Sequence, residues 1–254
     1  MISLKSKLKN REVTVGSWIT LGHPSIAEIL EKAGFDWLVV DMEHSAITLP
    51  QTQQLVQVIE LSGRIPLVRV GENDATLIKR VMDTGAHGVI VPMVNSEDDA
   101  IRAVNAVHYP PRGTRGVGLA RAQGYGNDFE KYKEWVNKES IVIAQIEHIK
   151  AIENLEKILR VEGIDGTIIG PYDLSGSLGF PGNFDHEDVK KALERYKIVC
   201  EEMGKPMGMH VIPPDPVEVQ KRIKEGYKFI AWSLDTLFLS VHCRNGLKMI
   251  REKM

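Results

Sequence analysis

Only two cysteines, Cys200 and Cys243, occur in the 254 residues, and they form no metal-spaced or redox motif. Both thiols are expected to be structural, in a reduced, cytoplasmic protein. No apolar run approaches the roughly 18 residues that suggest a membrane span. The N-terminal MISLKSKLKNREV has no long apolar core, so no signal peptide is expected. Neither sign of charge dominates: 32 Lys and Arg stand against 34 Asp and Glu, a net charge of −2. Nothing therefore argues for nucleic acid or an anionic membrane surface as partner. A Ser/Gly linker and low-complexity segments are also missing.

What is present is regular. With 43% hydrophobic and 26% charged residues the composition is that of a soluble globular chain. Strand-like runs occur at 13–20, 36–42, 65–70, 88–94, 141–147, 166–171, 206–212 and 228–234. Helix-like amphipathic segments alternate with them at 24–33, 51–62, 74–84, 97–107, 150–160, 186–203, 215–225 and 236–252. Strict alternation implies a parallel sheet. The helix-to-strand junctions repeat a pattern, AGFDW (33–37), TGAHG (84–88), VEGID (161–165) and KEGYK (224–228). In each, a glycine stands just past the helix, where the backbone wants a positive φ. An open doubly wound sheet is the alternative, but its nucleotide-binding form carries G-x-G-x-x-G after the first strand, and GSWITLG (16–22) does not fit. The expectation is one closed (βα)8 TIM barrel over residues 1–254.

The irregular part is YPPRGTRGVGLARAQGYGND (109–128), rich in Gly, Pro and Arg and long for a turn. It is expected to be functional or to form an oligomer contact. RGVG within it lacks the G-K-[ST] ending and a preceding strand that a phosphate loop needs.

In such a barrel the active site lies at the C-terminal ends of the strands. The second strand ends in Asp41, Glu43 and His44. The third carries Arg69, the fifth runs into Gln145 and Glu147, and the sixth into Gly170, Pro171, Tyr172 and Asp173. Glu147 and Asp173, from adjacent strands, can supply hard oxygen ligands to Mg²⁺ or Mn²⁺, with Co²⁺ or Zn²⁺ as substitutes. Such an open site accepts a chelating 2-oxo acid, and the metal acts as a Lewis acid that stabilises an enolate. Arg69 adds positive charge where negative charge develops. No lysine ends an interior strand, so a Schiff-base mechanism has no obvious nucleophile.

Each residue also has a plainer reading. Asp173 can be a helix N-cap, and Glu147 can cap or precede the helix at 150. His44 alone can be structural. Arg69 inside an apolar strand needs a partner or a ligand. The functional reading rests on the convergence of the set.

These motifs, from GSW (16–18) through FDWLVVDMEHS, VRV, YPPRGTRGVG and QIE to GPYDLSGSLG, resemble the metal-dependent (class II) pyruvate aldolases of the 2-oxo-acid aldolase and citrate-lyase-β superfamily. The resemblance runs along nearly the whole chain. It implies cleavage of a 4-hydroxy-2-oxo acid to pyruvate and an aldehyde through a metal-bound pyruvate enolate. Substrates in the family include 4-hydroxy-2-oxoheptanedioate, 2-dehydro-3-deoxyglucarate and 2-keto-3-deoxyrhamnonate. It implies Glu147 and Asp173 as metal ligands and Arg69 at the pyruvate keto oxygen. His44 would handle the C4 hydroxyl proton, with Asp83 as its acidic partner. Asp83 sits late in its helix, away from its own barrel mouth, so the pair would form across a subunit interface. Gly170, Pro171 and Tyr172 would hold the pyruvate carboxylate through backbone N–H groups. Asp41, Glu43 and Gln145 would support these residues, and Trp18 would line the pocket. Homo-oligomers, typically hexamers with an exchanged C-terminal helix, here 236–252, are also implied.

Two positions bear on the aldehyde half. Tyr172 is bulky where some relatives carry a small residue, and His210 replaces an apolar residue of at least one subfamily. Both also have packing readings, His210 as a hydrogen-bonded core histidine. The competing functions are oxaloacetate decarboxylation at the same site, citrate-lyase-like cleavage of a CoA thioester, and a non-catalytic barrel that binds a 2-oxo acid or serves as a scaffold.

Overall fold

The computed structural model describes residues 3–252; the first two and last two residues of the expected 1–254 domain lie outside that range. Eight parallel strands close in sequence order into a barrel. They are β1 (Thr14–Ile19), β2 (Trp37–Asp41), β3 (Ile65–Arg69), β4 (Gly88–Val91), β5 (Ile141–Ile146), β6 (Gly166–Ile169), β7 (Gly208–Val211) and β8 (Phe229–Leu234). Helices α1 (Leu4–Lys9), α2 (Pro24–Lys32), α3 (Leu49–Leu61), α4 (Ala75–Asp83), α5 (Glu97–Val107), α6 (Phe129–Glu139), α7 (Ile149–Glu153), α8 (Leu155–Arg160), α9 (Pro171–Ser177), α10 (Glu187–Glu202), α11 (Pro216–Lys224) and α12 (Asp235–Arg251) precede, connect or follow them. The (βα)8 expectation holds. Among the described residues no helix is long and apolar enough to cross a membrane.

The strands are apolar on both faces because both faces are buried, and their period of two sorts the side chains. Leu38, Val40, Val68, Val142 and Ala144 point outward into the layer shared with the helices. Trp37, Val39, Leu67, Ile90, Ile141, Ile143, Ile168 and Phe229 point inward, and Leu4 and Leu8 of α1 join them. Trp37 stacks on Phe229 with ring centroids 4.1 Å apart. That stack needs Gly16: a Cβ there would lie 2.1 Å from the Trp37 ring. Gly16→Ala is therefore expected to destabilise the barrel by about 1–3 kcal/mol, the usual cost of overpacking a core. In a domain of this size each kcal/mol lowers Tm by about 2–4 °C, which a thermal melt resolves.

The four junction glycines behave as expected, with φ from +88° to +102° at Gly34, Gly85, Gly163 and Gly226. Helix starts are capped by short polar side chains: Asp74 accepts from the Leu77 N–H at 2.7 Å, and Ser96 from that of Asp99.

The structure differs from the sequence reading in several places, with α1 and α9 among the helices it adds. The helix expected over 150–160 is two, α7 and α8, broken at Asn154 (φ −100°, ψ 8°), whose amide donates to the Asn95 and Lys150 carbonyls. The unassigned stretch 129–139 is α6, whose apolar signal is weak because it buries only Tyr132 and Val136. Asp173 is not an N-cap. Gly170 holds that position, and Asp173 lies in the first turn of α9.

The 109–128 segment is anchored on α3 and α4. Arg115 is fully buried, donates to Asp83 at 2.5 Å, and lies over the rings of Tyr109 and Tyr132 at 4.7 and 5.4 Å. Arg121 pairs with Glu60 and donates to the Thr84 carbonyl. Residues 115–118 neither follow a strand nor open a helix, so the phosphate-loop reading has no structural support.

Candidate active site

The inward alternation that builds the barrel core also builds the site. Continuing Trp37 and Val39 by two residues places Asp41 inside. Continuing Leu67 places Arg69, and continuing Ile141 and Ile143 places Gln145. Asp41 and Arg69 are register partners across β2 and β3. The guanidinium donates Nε to Asp41 Oδ1 at 2.9 Å and Nη2 to Oδ2 at 2.7 Å. Its Nη1 lies 3.2 Å from Glu43 Oε2, and its charge sits 4.3 Å over the Trp18 ring. Asp41 also accepts from the backbone N–H groups of Glu43 and His44, which shapes the turn after β2. The largely buried arginine thus has its partners, with Nη1 also donating to Gln145 Oε1 at 3.4 Å, and still keeps an Nη2 N–H unused, since a guanidinium carries five.

Glu147, just past β5, is buried. Its Oε1 accepts from the Met93 N–H at 2.7 Å and its Oε2 from the Gln145 amide at 2.6 Å. Burial pushes its carboxyl above the usual range against those hydrogen bonds, and the charges of Glu43 and Asp173 add to the push. Burial likewise raises Glu43, opposed by Arg69. The plainer reading of Glu147 as a cap of the following helix fails, since His148 caps α7. Gly170 makes room for it: a Cβ there would meet Glu147 Cβ at 2.9 Å and Oε2 at 3.2 Å.

Asp41, Arg69, Gln145, Glu147 and Gly170 line a cavity of about 290 Å³ together with Trp18, His44, Pro171, Tyr172, Asp173 and His210. Three carboxylates of that lining, Asp41, Glu147 and Asp173, share the cavity with one arginine, and Glu43 lies behind them 3.2 Å from its Nη1. This surplus of hard oxygen and negative charge fits a divalent cation. Among the described residues no three His, Cys, Asp or Glu groups converge as a closed cage, so Glu147 and Asp173 would leave positions for water and substrate.

One expectation needs adjusting. Of the three residues expected to hold a carboxylate through N–H groups, Gly170 spends its own on the Ile146 carbonyl, at 2.9 Å. Pro171 has no N–H at all. The N–H groups left at this helix start are those of Tyr172 and Asp173. Asp83, as expected, lies away from the mouth of its own barrel and is not beside His44 in the same chain. It ends α4, at the opposite end of the barrel from the site, and pairs with Arg115. His44 is 68% exposed at the mouth, with Nε2 3.9 Å from Glu43 Oε2.

His210, a departure from some relatives that also has a reading as a hydrogen-bonded core histidine, has that hydrogen bond and faces the cavity as well. It stands on β7, hydrogen-bonded to the Ser233 carbonyl and 5.6 Å from Trp18 between ring centroids.

A closed parallel barrel hosts many chemistries, and the relatives of this chain make it an aldolase, a carbon–carbon lyase. The chain belongs to the HpcH/HpaI aldolase/citrate lyase family, whose pattern matches residues 14–241. It is 38% identical over 250 residues to the 2-keto-3-deoxy-L-rhamnonate aldolase of Escherichia coli O6:K15:H31 (strain 536 / UPEC), covering 98% of this chain and 92% of that protein. Among solved structures, an HpcH/HpaI aldolase/citrate lyase family protein from Burkholderia cenocepacia J2315 superposes with a TM-score of 0.92 at 32% identity, over 99% of this chain and 100% of that one. The HpcH/HpaI aldolase of Desulfitobacterium hafniense DCB-2 gives 0.89 at 32% identity, over 99% and 98%.

Proposed function

We propose that this lyase reversibly cleaves a 4-hydroxy-2-oxo acid to pyruvate and an aldehyde, with a 2-keto-3-deoxy sugar acid as the substrate class. The observation that carries the reading is the buried Glu147, raised by burial, cradled against Gly170 and sharing a small cavity with Asp173 and Arg69. Glu147 and Asp173 hold a divalent metal, Mg²⁺ in the first instance, with Mn²⁺ or Co²⁺ able to replace it. When bound, it supplies Lewis-acid polarisation of the substrate carbonyl. Arg69 binds the keto oxygen and stabilises charge as it builds there. The free N–H groups of Tyr172 and Asp173 orient the carboxylate. His44 takes the C4 hydroxyl proton, with Asp83 of a second copy of the chain orienting it. Asp41, Glu43 and Gln145 fix Arg69 and Glu147, and Trp18 forms the wall beneath Arg69.

The assembly is a homo-oligomer, taken as a hexamer, in the cytoplasm. Exchange of α12 between copies is supported by its exposed Leu239, Leu247, Met249 and Ile250.

Aldehyde release from a panel of 4-hydroxy-2-oxo acids tests the reading, with oxaloacetate included. Decarboxylation of oxaloacetate with no aldehyde from any member would transfer the assignment to a decarboxylase. Chelation is expected to abolish turnover, and Mg²⁺, Mn²⁺ or Co²⁺ to restore it. The same metals are expected to raise Tm of the stripped protein, since a ligand at about 100 times its Kd stabilises by about 2.7 kcal/mol. Irreversible inactivation by borohydride with pyruvate would instead reveal an imine.

A further inference from the structure

We infer that His210 selects the aldehyde half of the substrate by accepting, at Nδ1, a hydrogen bond from a hydroxyl beyond C4, so that the aldehyde is a hydroxyaldehyde. This rests on the pyruvate-aldolase reading above.

Geometry fixes the tautomer. His210 Nε2 lies 3.1 Å from the Ser233 carbonyl oxygen. A carbonyl only accepts, so Nε2 carries the proton and Nδ1 is left as a bare acceptor. The carbonyl is itself held in place. Between the pairs Gly16–Ala231 and Trp18–Leu234 the register of β1 and β8 shifts. Ser17 there faces both Trp232 and Ser233. Bulges of this kind at barrel rims re-aim groups next to active sites. Ser233 takes a φ of +51°, uncommon for a residue with a Cβ. Two hydroxyls pin the bulge: Ser233 Oγ donates to the Ile212 carbonyl at 3.0 Å, and Ser17 Oγ to the Trp232 carbonyl at 2.8 Å.

The ring lines the same cavity as Arg69, Glu147 and Asp173. Its Nδ1 has no hydrogen-bond partner among the described residues, and it is not among the sealed, unpaired atoms. Burial, helped by the Arg69 charge, pushes the imidazole down to about 4. It is therefore neutral at neutral pH and a poor base.

Pyruvate, as keto acid or enolate, offers this nitrogen only oxygen lone pairs, which a bare acceptor repels. The hydroxyl donors of a 4-hydroxy-2-oxo acid lie on the half that leaves as aldehyde. The C4 hydroxyl must give up its proton during cleavage. A hydroxyl further along keeps its proton throughout and can donate to Nδ1 in every state. An aldehyde without it leaves that nitrogen to water alone and forgoes the hydrogen bond.

The test is aldol addition of pyruvate to aldehydes that differ by one hydroxyl, glycolaldehyde against acetaldehyde and lactaldehyde against propionaldehyde. The quantity read is the kcat/KM ratio within each pair, and comparing variants cancels the intrinsic reactivity of the aldehydes. His210→Leu is expected to lower the preference for the hydroxylated member by on the order of tenfold. His210→Asn is expected to keep part of it, because an amide oxygen can stand where Nδ1 stood. Exchange of pyruvate methyl protons, measured alongside, reports whether the pyruvate half and the fold survive. An unchanged ratio in His210→Leu overturns the inference. So does an equal loss with both members of a pair, which would make His210 part of the proton transfer or of the fold. If the native enzyme exchanges no pyruvate protons and adds pyruvate to no aldehyde, the pyruvate-aldolase reading itself fails and the inference with it.

Discussion

Arg69→Ala is expected to slow exchange of pyruvate methyl protons with deuterated water by on the order of 10²–10³, the usual loss when one donor to a developing oxyanion is removed. Exchange isolates enolate formation from the aldehyde half, so it reports on the contact that Arg69 is assigned. The guanidinium is pre-organised for that contact. Two of its N–H groups are committed to Asp41 and its Nη1 side faces Glu43, while Trp18 lies beneath it. It therefore has little freedom to lose when charge appears on the keto oxygen. The same arrangement adds a second consequence. Removing the cation strands a nearly fully buried Asp41, and breaking a buried pair costs roughly 3–5 kcal/mol of stability. A thermal melt must accompany the kinetics, and Arg69→Lys separates the effects. Lysine keeps the charge and a partner for Asp41 but not the two-pronged geometry, so stability should recover further than exchange. Exchange at the native rate in folded Arg69→Ala would remove Arg69 from enolate stabilisation.

Much of this site is legible because the rule that builds the barrel also builds its mouth. Trp37, Val39 and Asp41 form one inward row, and the same step of two carries Leu67 to Arg69 and Ile143 to Gln145. An ionisable residue that continues an inward apolar row has to face the cavity, whatever the fold's details. The junction glycines are legible for an equally local reason, since a helix that stops short of a strand needs a positive φ.

What escapes is non-local or depends on detail. Asp83 and Arg115 are 32 positions apart, and nothing in either neighbourhood announces the pair. The bulge at Ser233 leaves no glycine as a marker, yet it decides which nitrogen of His210 is free. Helix α6 hides behind a polar composition because it covers little of the core. The missing N–H of Pro171 was readable from the residue itself. The committed N–H of Gly170 was not, because it follows from the pairing of β5 with β6.

His44→Ala is expected to lower aldol cleavage by roughly 10²–10⁴, the range for losing a positioned acid–base group. Oxaloacetate decarboxylation should suffer less, because loss of CO₂ requires no hydroxyl deprotonation. The structure sharpens what Asp83 can do. Within one chain it lies at the far end of α4 and neutralises a fully buried Arg115, so it reaches a His44 only in another copy. The 109–128 segment fixed by Arg115 exposes Val117, Leu119 and Tyr125. Asp83→Asn should then act in the same direction as His44→Ala but less severely, by misorienting the imidazole. It also weakens the hold on Arg115, so loss of activity alone would not separate the two roles. Mixing does. When His44→Ala and Asp83→Asn chains are dissociated together and reassembled, some interfaces join the intact His44 of one chain to the intact Asp83 of the other. Those sites should recover native cleavage, while neither variant reassembled alone should gain any. Recovery requires a shared site, and a structural role for Asp83 predicts none, since every Asp83→Asn chain would keep its weakened Arg115 anchor. A mixture no more active than the average of its two components would remove the dyad.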